Sequence, residues 1–209
     1  MSPQSGRGRI DKRKDILDAA FGVFTREGYP QARVDQIAAE AGVAKATVYS
    51  HFGDKETLFR QTIAALSERA LARNLAALAP LAEAGDDLPA VLADVGTHLI
   101  DCYCDPHSWA LRRLLYAEIP QFPDLLDLTQ TGVAEPVAQA LADRLARLAV
   151  QGRLGLSDPV LAAEHLTALL TGPLEARSRF GTRRISRAER EAIAESAVTT
   201  FLSAFAAPA

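Results

Sequence analysis

The sequence predicts an all-α protein: an N-terminal helix-turn-helix unit of three helices, then a C-terminal helical bundle, about nine helices in all. Three observations lead there. Alanine and leucine dominate over valine, isoleucine and threonine, which favours helix over strand. Apolar residues recur at helical spacing, and no segment alternates with the period of two that a strand needs. Glycine and proline fall between the periodic segments, as at Gly28, Gly42, Gly53 and Pro80. A chain of 209 residues is long enough for one or two domains with real cores.

The elements follow in order. Residues 1–9 are rich in Ser, Pro, Gly and Arg without periodicity and read as a disordered basic arm. Their Gly-Arg-Gly-Arg run follows no strand, so it is no phosphate loop. Residues 10–27 form the first helix, with Ile16, Leu17, Ala20, Phe21 and Phe24 on one stripe; Gly28 ends it and Tyr29-Pro30 turns the chain. Two short helices, 34–41 and 45–51, meet at Gly42, and Asp54 caps a long fourth helix over 55–79. This sets one domain at 10–54, holding the helix-turn-helix, and a second, helical domain at 55–209. Helices follow over 88–104 with Pro89 in the first turn, 107–118, 125–131 and 133–151. Ser157-Asp158-Pro159 starts a helix that runs to 179 with a kink at Gly172-Pro173. Ser186-Arg187-Ala188-Glu189 is a capping box opening the last helix. That last helix carries Ile193, Ala194, Ala197, Val198, Phe201, Leu202 and Phe205, a stripe broad enough to suggest a second burial against a twin.

The stretch 34–52 carries the chemistry. Val34, Ile37, Ala38 and Ala41 share one face of its first helix; Val48 and Phe52 mark the inward face of its second. At about 100° per residue, Ala46 and Ser50 then point outward, with Thr47 and Tyr49 at the edges and Lys45 beside them. A small, hydroxylated face lets a helix backbone press into a DNA major groove. Tyr49 there either meets a thymine methyl or a phosphate, or braces the motif from a half-buried position. His51 can donate to phosphate, and Lys55 opposes the dipole of the helix it opens, which suits a partner outside that helix.

Net charge is −3, but residues 1–60 hold 10 Lys+Arg against 8 Asp+Glu, and the remainder 13 against 18. The local excess of cations has the form of a DNA footprint on an acidic body. Two cysteines and no signal-peptide pattern suggest the cytoplasm, and no apolar run reaches membrane-helix length. Cys102 and Cys104 point about 200° apart on a helix and cannot share a ligand, while His98 and Cys102 make only two; no metal or other cofactor is expected. No G-x-S-x-G, H-E-x-x-H or Walker loop occurs, so no catalytic residue is assigned.

Ile37-Ala38, Gly42-Val43, Lys45-Ala46-Thr47-Val48-Tyr49-Ser50-His51-Phe52 and Lys55-Glu56-Thr57-Leu58-Phe59, with Ala19-Ala20, Phe24 and Gly28-Tyr29 upstream, resemble the TetR/AcrR pattern in order and spacing. The resemblance covers roughly 10–59. It implies a homodimeric transcriptional regulator, usually a repressor of an operator, released by a small molecule. Two positions depart from the pattern. The family often opens each helix of the motif with a hydroxyl residue; here Arg33 or Val34, and Ala44, stand there. Arg112-Arg113-Leu114-Leu115, Ala117-Glu118, Gln121-Phe122-Pro123 and Leu125 resemble the AefR-like C-terminal domain of that family.

The expected DNA-binding residues are therefore Arg33, Ala44, Lys45, Ala46, Thr47, Tyr49, Ser50, His51 and Lys55. A small hydrophobic ligand is expected among His98, Tyr103, Trp109, Tyr116 and Phe122, unless these aromatics only fill the core. The dimer interface is expected at Leu166, Leu170, Val198, Phe201, Leu202 and Phe205. The alternative is a DNA-binding dimer with no small-molecule effector, answering to a protein partner or to its own concentration.

Overall fold

The computed structural model describes residues 4–207, with side chains from Lys12 onward. It is all-α: no strand occurs among the described residues, and nine helices have seven residues or more. They are α1 (Gln4–Gln31), α2 (Val34–Glu40), α3 (Lys45–Phe52), α4 (Lys55–Ala77), α5 (Leu88–Cys104), α6 (Pro106–Glu118), α8 (Glu135–Val150), α9 (Pro159–Thr171) and α11 (Arg187–Phe205). Two five-residue helices, α7 (Leu125–Thr129) and α10 (Leu174–Ser178), lie between these, a 3-10 helix, Ala79–Glu83, comes after α4, and a π turn, Gln130–Ala134, leads into α8.

The start signals act locally as written. Asp54 accepts from the Thr57 amide at 2.7 Å. Asp158 accepts from the amides of Val160 and Leu161 at 2.9 and 3.0 Å, with Pro159 at the first helical position. Ser186 caps α11 through the Glu189 amide at 3.2 Å. The reciprocal half of that capping box is not made, because the Glu189 carboxylate pairs with Arg183 instead, at 2.8 and 3.2 Å; a charged two-point partner outcompetes one neutral amide. Gly172-Pro173 separates α9 from α10 rather than kinking one helix. Residues 4–9, expected in the arm, continue α1 outward, since adding a turn to a formed helix needs no new nucleus. Residues 1–3 of that arm lie outside the described residues.

The chain divides into two compact units. The first holds residues 4–68 together with Ala110–Thr129. Its core joins Ile16, Phe24, Ile37, Val48 and Phe59 to Leu114, Phe122 and Leu125 from the later segment. So the segment after Trp109, expected wholly in the C-terminal domain, supplies part of the core beneath the helix-turn-helix. Phe122 stacks edge-on against Tyr29 at 4.8 Å, Glu118 accepts the Tyr29 amide at 2.8 Å, and Arg60 pairs with Asp124. The second unit holds Arg69–Trp109 and residues 130–207. There α11 packs on α5 and α9, and α8 packs on α9, around Leu92, Ile100, Leu141, Leu166, Leu170 and Phe201.

Candidate nucleic-acid interface

The motif is built on an inward anchor. Ile37 and Ala38 of α2, and Val48 and Phe52 of α3, are buried in the first unit's core, as their spacing predicts. Between the helices Gly42 takes φ +65°, and Val43 donates back to Ala38 at 3.0 Å. A Cβ at Gly42 would touch nothing within 4 Å, so the left-handed backbone alone selects glycine.

With the inner face fixed, the outer face follows. Ala44, Lys45, Ala46, Tyr49 and Ser50 are exposed; Thr47 and His51 are half-buried. The Tyr49 ring is 44% exposed, so it does not brace the motif from inside. The hydroxyls of Thr47 and Ser50 make no hydrogen bond among the described residues and remain open to an outside partner. Ala44 is extended (φ −71°, ψ 145°) and caps α3 without a side-chain bond. The first amides of α3 therefore keep no side-chain partner from the cap, and a phosphate suits that position.

The cations are arranged by a residue that periodicity does not single out. Asp35 binds Arg33 at 2.7 Å and lies 3.8 Å from the Lys45 ammonium. The Arg33 guanidinium holds the Asp35 carboxyl below its ordinary range. The pair sits at i and i+2 across the start of α2; that spacing was the available signal.

Lys55 departs from its expected role. Its ammonium donates to the carbonyls of Ala32 at 2.9 Å and Pro30 at 3.2 Å and lies 4.5 Å from the centre of the Tyr29 ring. Burial lowers its pKa, against the opposing pull of Glu118. Two of its three donors are thus occupied in holding the turn before α2. Nothing local in the sequence marked Glu118, whose role depends on an interaction across 89 positions.

The ligand and dimer expectations fare differently. Tyr103 and Trp109 meet edge-on at 5.3 Å in the second unit. Phe122 belongs to the first unit, packed on Tyr29 and Phe59, and Tyr116 of that unit is 54% exposed. His98 is exposed and turned back on the Asp94 carbonyl at 2.9 Å. Tyr103, Trp109 and His98 thus belong to one unit, and Tyr116 and Phe122 to the other. Among the expected dimer residues, Leu166, Leu170, Val198 and Phe201 are at most 3% exposed within the subunit, so the single chain's core already consumes them. Leu202 and Phe205 stay half-buried. Among the described residues no cluster of three or more His, Cys, Asp or Glu could hold a metal, and no helix is long and apolar enough to cross a membrane.

Comparison with known proteins agrees with this geometry. The pattern of bacterial regulatory proteins of the tetR family matches residues 16–62, and that of the AefR-like transcriptional repressor C-terminal domain matches residues 90–207. A Mesorhizobium loti protein assigned to the TetR family superposes with a TM-score of 0.88 at 30% identity, over 95% of this chain and 98% of its own. The flavonoid-responsive regulator FrrA gives a TM-score of 0.75 at 28% identity, over 95% and 98%. The regulator TtgW of Pseudomonas putida is 43% identical over 54 residues, which are 26% of this chain and 40% of TtgW. The match to YhgD of Bacillus subtilis likewise spans only 30% of that protein's length. The matched portion of this chain thus spans well under two thirds of these curated relatives. The chain belongs to the TetR family of bacterial transcriptional regulators, with a helix-turn-helix DNA-binding domain and an AefR-like C-terminal domain, and is a regulator rather than an enzyme.

Proposed function

We infer that the protein is a homodimeric repressor that binds a pseudo-palindromic operator with one α3 in each major groove and is released by a small, mostly apolar ligand. The observation that carries the DNA half is the outward face of α3: small at Ala46 and Ser50, with open hydroxyls, an exposed Tyr49, and Arg33 and Lys45 gathered beside it. The same reading has the protein act in the cytoplasm, where an operator is reached. The ligand half is supported by the likeness to a regulator named as flavonoid-responsive and by the Tyr103–Trp109 pair. The dimer is supported by exposed Val160 and Leu161 on α9 and by the uncharged outer face at the C-terminal end of α11.

Selection from a random-sequence duplex pool tests this, followed by footprinting and sedimentation of the complex. A two-fold symmetric site with two protomers bound is expected, its half-sites a whole number of helical turns apart, about 34–36 Å or a multiple. Failure to enrich any sequence overturns the reading. The second reading, a dimer without effector, is favoured by His98, expected at the ligand but exposed and turned back on the Asp94 carbonyl. Operator affinity indifferent to a broad panel of hydrophobic compounds would select it.

A further inference from the structure

Within the second unit a cavity of about 520 Å3 opens between the end of α5, the first turn of α6 and the segment joining α10 to α11. Its apolar lining is Cys104, Pro106, Trp109 and Ile185. Its rim is charged, and most of those charges are already matched. Arg190 Nε lies 2.7 Å from Asp101, Arg183 is held by Glu189, and Asp105 lies 3.3 Å from Arg73. Arg184, exposed at the rim, has no carboxylate partner among the described residues. The rim therefore keeps one guanidinium in excess.

The backbone that presents Arg184 is unusual. Arg179, Phe180 and Gly181 have φ of 50°, 55° and 80°, three consecutive left-handed residues of which two are not glycine. The turn is held by its own bonds: Phe180 donates to the Glu175 carbonyl at 2.9 Å, Gly181 to the buried Ser178 hydroxyl at 3.0 Å, and Arg183 to the Ser178 carbonyl at 2.7 Å. Its result is to lay the Gly181 backbone on the indole, where a Cβ would sit 2.4 Å from Trp109 Cγ. Tyr103 meets the same indole edge-on. Three residues after Thr182, Ile185 is buried again. Arg184 is thus carried on a short span between two fixed points, Gly181 and Ile185, and lines the same cavity as Trp109. Persistent non-glycine strain of this kind is a signature of sites where geometry matters more than stability.

We propose that this cavity is the effector seat and takes a planar aromatic carboxylate, its ring against Cys104, Pro106 and the small edge of Trp109 that Gly181 and Tyr103 leave uncovered, and its carboxylate on Arg184. The proposal rests on the effector-release reading above and names the ligand class. The volume falls within the range of small-molecule sites, an apolar floor with a few placed polar groups is their usual lining, and a guanidinium fork matches a carboxylate in two-point geometry.

The test is calorimetric titration of the full chain with 2-naphthoate and its neutral isostere 2-naphthamide, in the wild type, Arg184→Ala and Arg184→Lys. Naphthoate is expected to bind at least tenfold more tightly than the amide. Arg184→Ala removes that preference and Arg184→Lys restores part of it. Because Arg184 is exposed, the denaturation midpoint of both variants stays at the wild-type value. Equal affinity for acid and amide, a preference that survives Arg184→Ala, or no binding of either overturns the proposal. Operator binding in the presence of 2-naphthoate separates the two readings. Arg184-dependent binding without loss of operator affinity keeps the carboxylate site and overturns effector release. Operator release by uncharged compounds, with no naphthoate binding, keeps effector release and overturns the assignment of this cavity.

Discussion

α3 and α11 both turn small residues outward, and they differ in what those residues do. On α3 the hydroxyls of Thr47 and Ser50 are open, and Arg33 and Lys45 stand beside them. On α11 the outward residues include Ala192, Ser196, Thr199, Thr200 and Ser203. Thr199, Thr200 and Ser203 fold their hydroxyls back onto carbonyls of their own helix, at 2.8, 2.9 and 2.8 Å, and no lysine or arginine follows Arg190. Open donors and cations suit phosphate and base edges. Internally satisfied hydroxyls without cations can be covered by another helix and leave no orphaned donor. On the proposed reading similar composition suits two partners, and most hydroxyls on the α11 face are satisfied where those of α3 are open; Ser196, like Ser50, makes no side-chain bond among the described residues.

The largest expected effect divides the inside of α11 from its outside. Phe201 is 1% exposed, so Phe201→Asp places a charge in the subunit's own core and costs several kcal/mol. Denaturant titration should show a subunit that no longer folds cooperatively. Thr199→Arg, on the outward face, should keep the helical circular-dichroism signal and sediment as a monomer. A Thr199→Arg protein that remains dimeric would move the proposed seam off α11.

Next comes the outside of α3. Tyr49→Ala with Thr47→Ala should weaken operator binding by about 1–3 kcal/mol for each base edge no longer read, while non-specific DNA binding and dimerisation hold. Competition titration of operator against random duplex measures this. An unchanged ratio between the two would mean that α3 does not read bases.

The two helices also show what a single sequence reveals. The inward face of α3 was legible because one buried stripe, closed by Gly42, admits one arrangement: fixing Val48 and Phe52 fixes Ala46 and Ser50. The stripe of α11 was legible as apolar, but periodicity does not say whether a broad stripe meets a twin or its own core. In the fold Phe201 and Val198 are buried against the subunit's own α5 and α9. The same limit hid the place of Phe122, since an amphipathic pattern names a buried face and not the partner across it. The left-handed pair Arg179-Phe180 carried no signal, because neither residue type prefers that conformation.

Lys55 and Arg33 sharpen the contrast between cations that hold the reading unit and cations that serve DNA. Lys55→Ala removes two hydrogen bonds to carbonyls and the ammonium packed against the Tyr29 ring. It should lower stability by about 1.5 kcal/mol in denaturant titrations and act on DNA binding only through that destabilisation. Arg33→Ala should leave stability unchanged and reduce the log–log salt slope of DNA binding by about one. A slope reduced equally by both would return Lys55 to the phosphate-binding role expected from its sequence position.

The smallest effect concerns two carboxylates, Asp35 exposed and Glu189 half-buried, each held below its ordinary range by a guanidinium: Asp35 by Arg33, and Glu189 by Arg183. For each, the folded pKa lies below the unfolded one. The stabilisation is therefore present above the ordinary carboxylate range and is lost as pH falls through the lowered folded value. The Asp35 pair is open to water and the Glu189 pair only partly so, so Asp35→Asn should leave the denaturation midpoint at pH 7 unmoved and Glu189→Gln should lower it slightly. Their surroundings differ, and so should their effect on DNA. Asp35 competes with phosphate for Arg33 and Lys45; Glu189 stands beside the cavity of the second unit. Asp35→Asn should raise affinity for random duplex and steepen its salt slope, by about one for each cation released, whereas Glu189→Gln should change neither. A slope unmoved by Asp35→Asn would mean that Arg33 and Lys45 do not reach phosphate, and would leave Tyr49 and the open hydroxyls of α3 to hold the DNA alone.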